Sequence, residues 1–436
     1  MLVLFKQVIL PYLIWLIVMG SVIKGVRGQP MVPLLLLTIL LPLPALWYPI
    51  HDLPLGRKSM DLLTMACAIG IARGEHPWEI TPKKGLLYTI IIFSYLETWN
   101  TSLRFGLHAP LTLDNPVLAD WKNYALMIFL YFVAYNTCRT EEQVRKTTTF
   151  MMLVVLFIII QNYRSVLAGE TYSQTTRAAG PFQLAGLNPN HFGAFLSNYG
   201  VAAFALFLAD SGIRRWLYLT ISAGAIYPLF YTYSRGSYLA ATVSVFFLGL
   251  LKSRIIIVFV ILLIIFWKDL LPESVVERIL MTESSSGQLE DSAAQRLILW
   301  ELARDLFADN PIFGIGFNGF VFASAHLSLH NIHNFYLQAA AEQGIVGVIL
   351  IVAVLIRSLA SGWALFRTGF SPYGKALGLA FLACSISVAI TNIFGDRFSQ
   401  LYLGGYFFIL MGLVDRMLAL SNCINSSRAQ TAEKTA

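Results

Sequence analysis

The stretch "HNIHNFYLQAAAEQGIVG", residues 330–347, places histidines at the mouth of a long apolar run. His333 opens the run, and Asn334, Gln338 and Glu342 recur behind it at i, i+4 and i+8, which on a helix forms one polar stripe. In a membrane such a stripe faces the protein interior or a wet cavity. The positive end of a helix disfavours imidazolium, so a histidine there is held toward the neutral form that accepts a proton. A capping or loop histidine without chemistry fits the same local pattern. His326, His330 and His333 lie four and three apart and could share a helix face. The segment "HLSLHNIHN" has no nearby carboxylate and is not an HExxH pattern, so no metal and no cofactor are expected.

Three arginines accompany this histidine. Arg235, in "YTYSRGSYLA", sits between two apolar runs, where an arginine must snorkel, pair or bind an anion. Arg296 lies in "DSAAQRLILWELARDLFADNP" and Arg177 in "TTRAAGPFQLAGLNPNHFGAF". Each alone reads as an interface anchor or a solvated charge. Together they are planar forks suited to phosphate oxygens, which points to a lipid-linked phosphate or pyrophosphate with histidine as base. His191 and Asn190 open another apolar run and could line the same site or cap a helix.

The elements that must carry these residues are membrane helices. The 436-residue chain is 57% hydrophobic and 13% charged, against about 25% charged for a soluble domain. Apolar runs of near-spanning length recur from residue 8 to residue 418, which predicts an all-α polytopic membrane protein with about 12 transmembrane helices. The net charge of +7 then marks cytoplasmic loops, not a nucleic-acid surface. Arg139, Arg145 and Lys146, then Arg214 and Arg215, Lys252 and Arg254, and finally Arg357, Arg367 and Lys375 lie on one predicted side. That places the loop 163–190 and the large loop 268–333 in the periplasm, and a disordered tail, 419–436, in the cytoplasm. No separate soluble domain is expected within residues 1–436. The four cysteines, Cys67, Cys138, Cys384 and Cys423, include no CxxC pair.

The loop 268–333 is too long for a connector. Its residues 291–309 predict an amphipathic helix capped by Asp291 or Ser292 and followed by Pro311. Leu299, Leu302 and Leu306 share one face, and Arg296, Trp300 and Arg304 share another. The Gly- and aromatic-rich "NPIFGIGFNGF" predicts a turn lying against the membrane surface, and Gly344 and Gly347 predict close helix packing.

On "RAAGPF" and "NPNHFG", "YSRGSYLA", the loop helix with its Gly-rich turn, and "HNIHNFYLQAAAEQGIVG", in this order over residues 170–357, the chain resembles the O-antigen ligase and polymerase family of bacterial membrane glycosyltransferases. The resemblance implies a GT-C-like fold of about 12 spans in the inner membrane, with a periplasmic active site and a glycan donor carried on undecaprenyl pyrophosphate. It implies that His333 is catalytic and that Arg235 and Arg296 are essential; from their positions in the sequence, Arg177, Asn334, Trp300, Glu342 and His330 are the residues expected around the substrate. Family members often carry a second histidine two residues before the catalytic one; here that position is Asn331, and His330 is displaced by one. The leading expectation is a metal-independent, inverting ligase that moves the glycan onto lipid A–core among membrane lipids. A polymerase or a protein O-oligosaccharyltransferase would use the same donor chemistry. A transporter of lipid-linked sugars would explain the arginines but not the histidine.

Overall fold

The computed structural model describes residues 9–75, 78–166, 177–280, 291–327 and 331–435. Among these residues the fold is helical throughout, with no strand. The principal helices are α1 (Leu10–Val26), α2 (Met31–Leu40), α3 (Ser59–Arg73), α4 (Lys84–Arg104), α5 (Pro116–Thr137), α6 (Glu141–Val166), α7 (Pro189–Ala209) and α8 (Arg214–Tyr231). They continue as α9 (Arg235–Lys252), α10 (Arg254–Ile265), α11 (Glu273–Leu280), α12 (Asp291–Asp309), α13 (Phe335–Thr368), α14 (Pro372–Thr391) and α15 (Leu401–Thr435). Three of the spanning helices start in the same way. Asn115, Asn188 and Ser371 each accept a backbone N–H of the first turn, and a proline follows at the first helical position. The cap satisfies an orphan donor, and proline has none to lose.

Six described helices are long and apolar enough to cross a membrane, or seven if α2 and the turn after it, bent by 109°, count as one span. This is a polytopic membrane architecture, with fewer such helices than the dozen expected from apolar runs. The run at 84–97 lies in α4, which is long enough but carries Glu97, Asn100 and Arg104. The runs at 216–233 and 237–251 form 18-residue helices with charged ends, α8 and α9. The run at 254–267 yields the 12-residue α10, which rises only about 18 Å against a hydrocarbon core of about 30 Å. The last helix continues to Thr435, so the tail expected to be disordered from residue 419 extends α15 instead.

At the centre, α7 is buried along most of its length and packs against α8 and α14, while α15 packs on α5 and α13 on α14. The close approach predicted at Gly344 and Gly347 occurs lower on α13, where a Cβ on Gly362 would lie 2.9 Å from Leu382 N and one on Gly378 2.4 Å from Phe366 N. One buried ion pair ties α15 to the segment before α4. Lys83 Nζ donates to Asp415 Oδ1 at 2.7 Å and to Ser361 Oγ at 2.6 Å, and Tyr131 Oη donates to Asp415 Oδ2 at 2.7 Å.

Gly344 has a different purpose from helix packing. It interrupts α13 with φ 61° and ψ −161°, a conformation essentially restricted to glycine. The loop motif fills the gap: Ile345 N donates to Pro311 O at 2.8 Å, Ile315 N to Ala341 O at 3.0 Å and Gly316 N to Glu342 O at 2.8 Å. Phe317 N then donates to Glu97 O at 3.1 Å, and Thr101 Oγ1 donates to Phe317 O at 2.7 Å. "NPIFGIGFNGF" is therefore knitted between α13 and α4 from Gly314 onward, while Ile312 and Phe313 stay exposed. Gly344→Ala would bring a Cβ within 2.2 Å of Ile312 O, so we expect a loss of stability of about 3 kcal/mol or more. Gly20→Ala, where nothing lies within 4 Å, should be neutral or stabilising by about 0.5–1 kcal/mol. Thermal unfolding in detergent compares the two, and equal midpoints would contradict the close fit at Gly344.

Candidate active site

A cavity of about 560 Å³ opens where the starts of α7 and α9 meet α11, α12 and the segment before α13. Arg177, Arg235, Arg278 and Arg296 line it together with His333, and among the described residues no carboxylate does. Its polar neighbours include Asn188, Asn190 and Ser234.

Each charged group reaches the cavity by a separate route. Arg177 lies before α7; its Nε donates to Thr232 O at 3.0 Å and its NH2 to Asn190 Oδ1 at 2.7 Å. Arg235 is the first residue of α9, beside the N-cap Ser234, so its side chain adds to the positive end of that helix. The turn into α9 passes through Tyr233 at φ 52°, and Tyr233 Oη donates to Ser274 Oγ at 3.1 Å. That bond draws α11 onto the site and brings in Arg278, only 6% exposed. Arg296 comes from α12, whose Leu299 and Ala303 pack with Phe320, Ile332 and Ala341. Arg304, predicted on the same face, is exposed and pairs with Asp305.

His333 lies in a tight turn with φ 54°, and its backbone N–H donates to Asn331 Oδ1 at 2.8 Å. A left-handed non-glycine residue is uncommon, and such residues concentrate at functional sites. Burial, followed by the positive charge of Arg296, lowers its pKa to about 4, with Arg397 adding to the effect and Asp396 opposing it. The imidazole is therefore neutral at pH 7 and can accept a proton. Behind it, His191 Nε2 lies 3.4 Å from Asp396 Oδ1, and Gln400 Nε2 donates to Asp396 Oδ2 at 3.1 Å.

The structure thus brings together His333, Arg235, Arg296 and Arg177, but separates the other residues expected around the substrate. Asn334 caps α13, accepting from Tyr336 N at 3.0 Å and Leu337 N at 3.1 Å. Trp300 is a brace: its Nε1 donates to Ile332 O at 2.9 Å and holds the turn that carries His333. Glu342 is buried, 3% exposed, and accepts from Phe320 N and Gln338 Nε2, both at 3.3 Å, away from the arginine cavity. The polar stripe on α13 is real, but its members hold protein groups. Asn190 lines the cavity, whereas His191 is turned to Asp396 and Asn188 is the true cap of α7. His330 lies outside the described residues.

Sequence reasoning missed Arg278 and Asp396. The signal for Arg278 was Ser274 and Arg278 four residues apart on the buried side of α11, an arginine where an apolar residue is ordinary. Asp396 carries no pattern of its own, because its partners come from α7 and from the residues just before α15.

The shift at His333 gives a direct test. Diethyl pyrocarbonate acylates neutral imidazole, so the rate at His333, followed by peptide mass spectrometry, should be half-maximal at a pH of about 4, well under the unperturbed value of about 6.5. Arg296→Gln should move that midpoint upward, since a positive neighbour is removed. A wild-type midpoint of about 6.5 would show that His333 is solvated like a free imidazole.

Residues 217–352 match the family model described as O-antigen ligase, the family whose motifs the sequence resembles. The matched region runs from α8 into α13 and includes Arg235, Arg278, Arg296 and His333; Arg177, His191 and Asp396 fall outside it. It supports a ligase- or polymerase-type role in O-antigen assembly. No curated protein matches the chain.

Proposed function

We propose that this membrane protein is an O-antigen ligase that transfers a glycan from undecaprenyl pyrophosphate to a sugar hydroxyl of lipid A–core. The observation that carries the reading is the convergence of four arginines on one cavity beside a neutral histidine. A cavity on which four guanidinium groups converge suits a multiply charged anion, and a planar fork matches phosphate oxygens in pairs.

His333 removes the proton from the acceptor hydroxyl as that oxygen bonds to the anomeric carbon. The bond from the anomeric carbon to the phosphate oxygen breaks, and its electron pair leaves with the pyrophosphate. Charge therefore grows on the departing oxygens, and Arg177, Arg235, Arg278 and Arg296 are held in place to meet it. Attack opposite the leaving group inverts the anomeric configuration. As negative charge settles in the cavity the imidazolium becomes easier to form, so donor binding raises the basicity of His333 at the moment it is used.

The side of the membrane is part of the proposal. The clustering of basic residues in the connections supports α12 and the His333 turn in the periplasm and the end of α15 in the cytoplasm. In a cysteine-free background, Asp305→Cys should react with a membrane-impermeant maleimide in outer-permeabilised cells, and Ser427→Cys should not. The reverse pattern overturns the orientation.

Purified protein in nanodiscs, given lipid-linked O-antigen and O-antigen-free lipopolysaccharide, tests the chemistry. His333→Gln should lose about 10²–10⁴-fold in transfer rate while still binding undecaprenyl pyrophosphate. Arg235→Lys and Arg296→Lys should stay impaired, because a point charge cannot replace paired donors. Normal turnover in His333→Gln removes the base role, and normal turnover in both lysine variants removes the phosphate forks. In cells lacking the protein, lipid-linked long chains should accumulate; accumulation of single repeat units would make it a polymerase instead.

A further inference from the structure

A second cavity, of about 590 Å³, borders the first. Asn331, Phe335 and Asp396 line it, while His333 and Phe394 line the arginine cavity. Residues 331–335 and 394–396 therefore form a shared wall, joined by the bond from Phe335 N to Gly395 O at 3.1 Å. Asn331 serves both sides, since its Oδ1 also accepts the His333 N–H at 2.8 Å.

The chemistry of this cavity differs from its neighbour's. Its charged lining is Asp61, Asp120 and Asp396 against Arg57 and Lys122, and Lys122 is already paired with Asp61 at 2.8 Å. A polyanion gains nothing there. The remaining polar lining is amide-rich, with Gln338, Gln343 and Gln400, and is set beside Trp47, Tyr124 and Tyr402. Trp47 Nε1, in a residue 7% exposed, has no hydrogen-bond partner among the described residues, while Asp396 Oδ1 is turned to His191 and Arg397. Each side-chain amide offers both an acceptor and donors, so this lining suits a ligand that itself bears both. An uncharged sugar ring has both in its hydroxyls, and its C–H face suits an aromatic ring. The volume falls within the usual range for small-molecule sites, about 300–1,000 Å³.

We propose that this cavity binds the terminal, uncharged sugar of the acceptor glycan and presents its hydroxyl across the shared wall to His333. This rests on the transfer reading above. The donor's reacting sugar is bonded to the pyrophosphate and so belongs with the arginines. The acceptor is the reactant that still needs a seat, and only the wall carrying His333 separates the two cavities.

Steady-state transfer by the full-length protein in nanodiscs tests this, with O-antigen-free lipopolysaccharide varied at saturating lipid-linked donor, and the reverse. Trp47→Phe removes the indole N–H together with the five-membered ring that carries it, and Asp120→Asn removes a charge that accepts from Asn318 Nδ2 at 2.7 Å. Each should raise KM for the acceptor by about tenfold and leave KM for the donor unchanged. Lipid-free core oligosaccharide should also bind wild type and Arg235→Ala alike, and bind Asp120→Asn weakly. If Trp47→Phe does not fold, Asp120→Asn decides alone. A raised donor KM with an unchanged acceptor KM assigns the cavity to the donor's glycan, and wild-type constants in both variants leave it without a sugar; either overturns the proposal while the transfer reading stands. Absence of transfer and of pyrophosphate binding in the wild type brings down both.

Discussion

Holding four guanidinium groups around one cavity next to a neutral imidazole is the constraint on which the rest of this structure depends. Like charges repel, and the scaffold fixes each arginine by a separate route. Arg177 is tied to Thr232 O and Asn190, Arg278 arrives through the Tyr233–Ser274 bond, and Arg235 and Arg296 are set by the helices that carry them. Burial, followed by the positive charge of Arg296, keeps His333 unprotonated, which links one of these arginines to the histidine beside them.

The turn carrying His333 is held from several directions at once. Asn331 accepts its N–H, Trp300 holds Ile332 O, Asn334 starts α13, and Phe335 N is bonded to Gly395 O. Further along, the break at Gly344 is closed by residues 311–317, which also reach α4. The Gly-rich motif of the loop and the glycine of the helix are thus two halves of one joint. That joint fixes the end of α12, and with it the position of Arg296. Stability and chemistry share these residues, so a substitution far from the cavity can still misplace an arginine.

A good part of the site was legible in the sequence. His333, Arg235, Arg296 and Arg177 stood out because ionisable residues at the ends of apolar runs need a reason to be there. Asn334, Trp300 and Glu342 were legible as polar groups on the right elements but not as to purpose, since a side chain that holds backbone and one that holds substrate leave the same pattern of residue types. Arg278 was hidden in an eight-residue helix whose buried side could not be told from its exposed side before its contact with Tyr233 was known.

What the sequence by itself determined was the solvent and the element type. A chain this apolar belongs in lipid, and lipid admits helices whose backbone bonds are internal. Helix starts at Asn115, Asn188 and Ser371 were likewise local, because a cap and a following proline act within one turn. Only the tertiary structure decided which helices are long enough to span, where α13 breaks, and that two cavities, one lined by arginines and one of mixed charge, meet at the His333 turn. Those features depend on contacts such as Glu97 with Phe317 and His191 with Asp396, which join residues some two hundred positions apart. Periodicity and capping report only neighbours along the chain, so no local pattern could contain them.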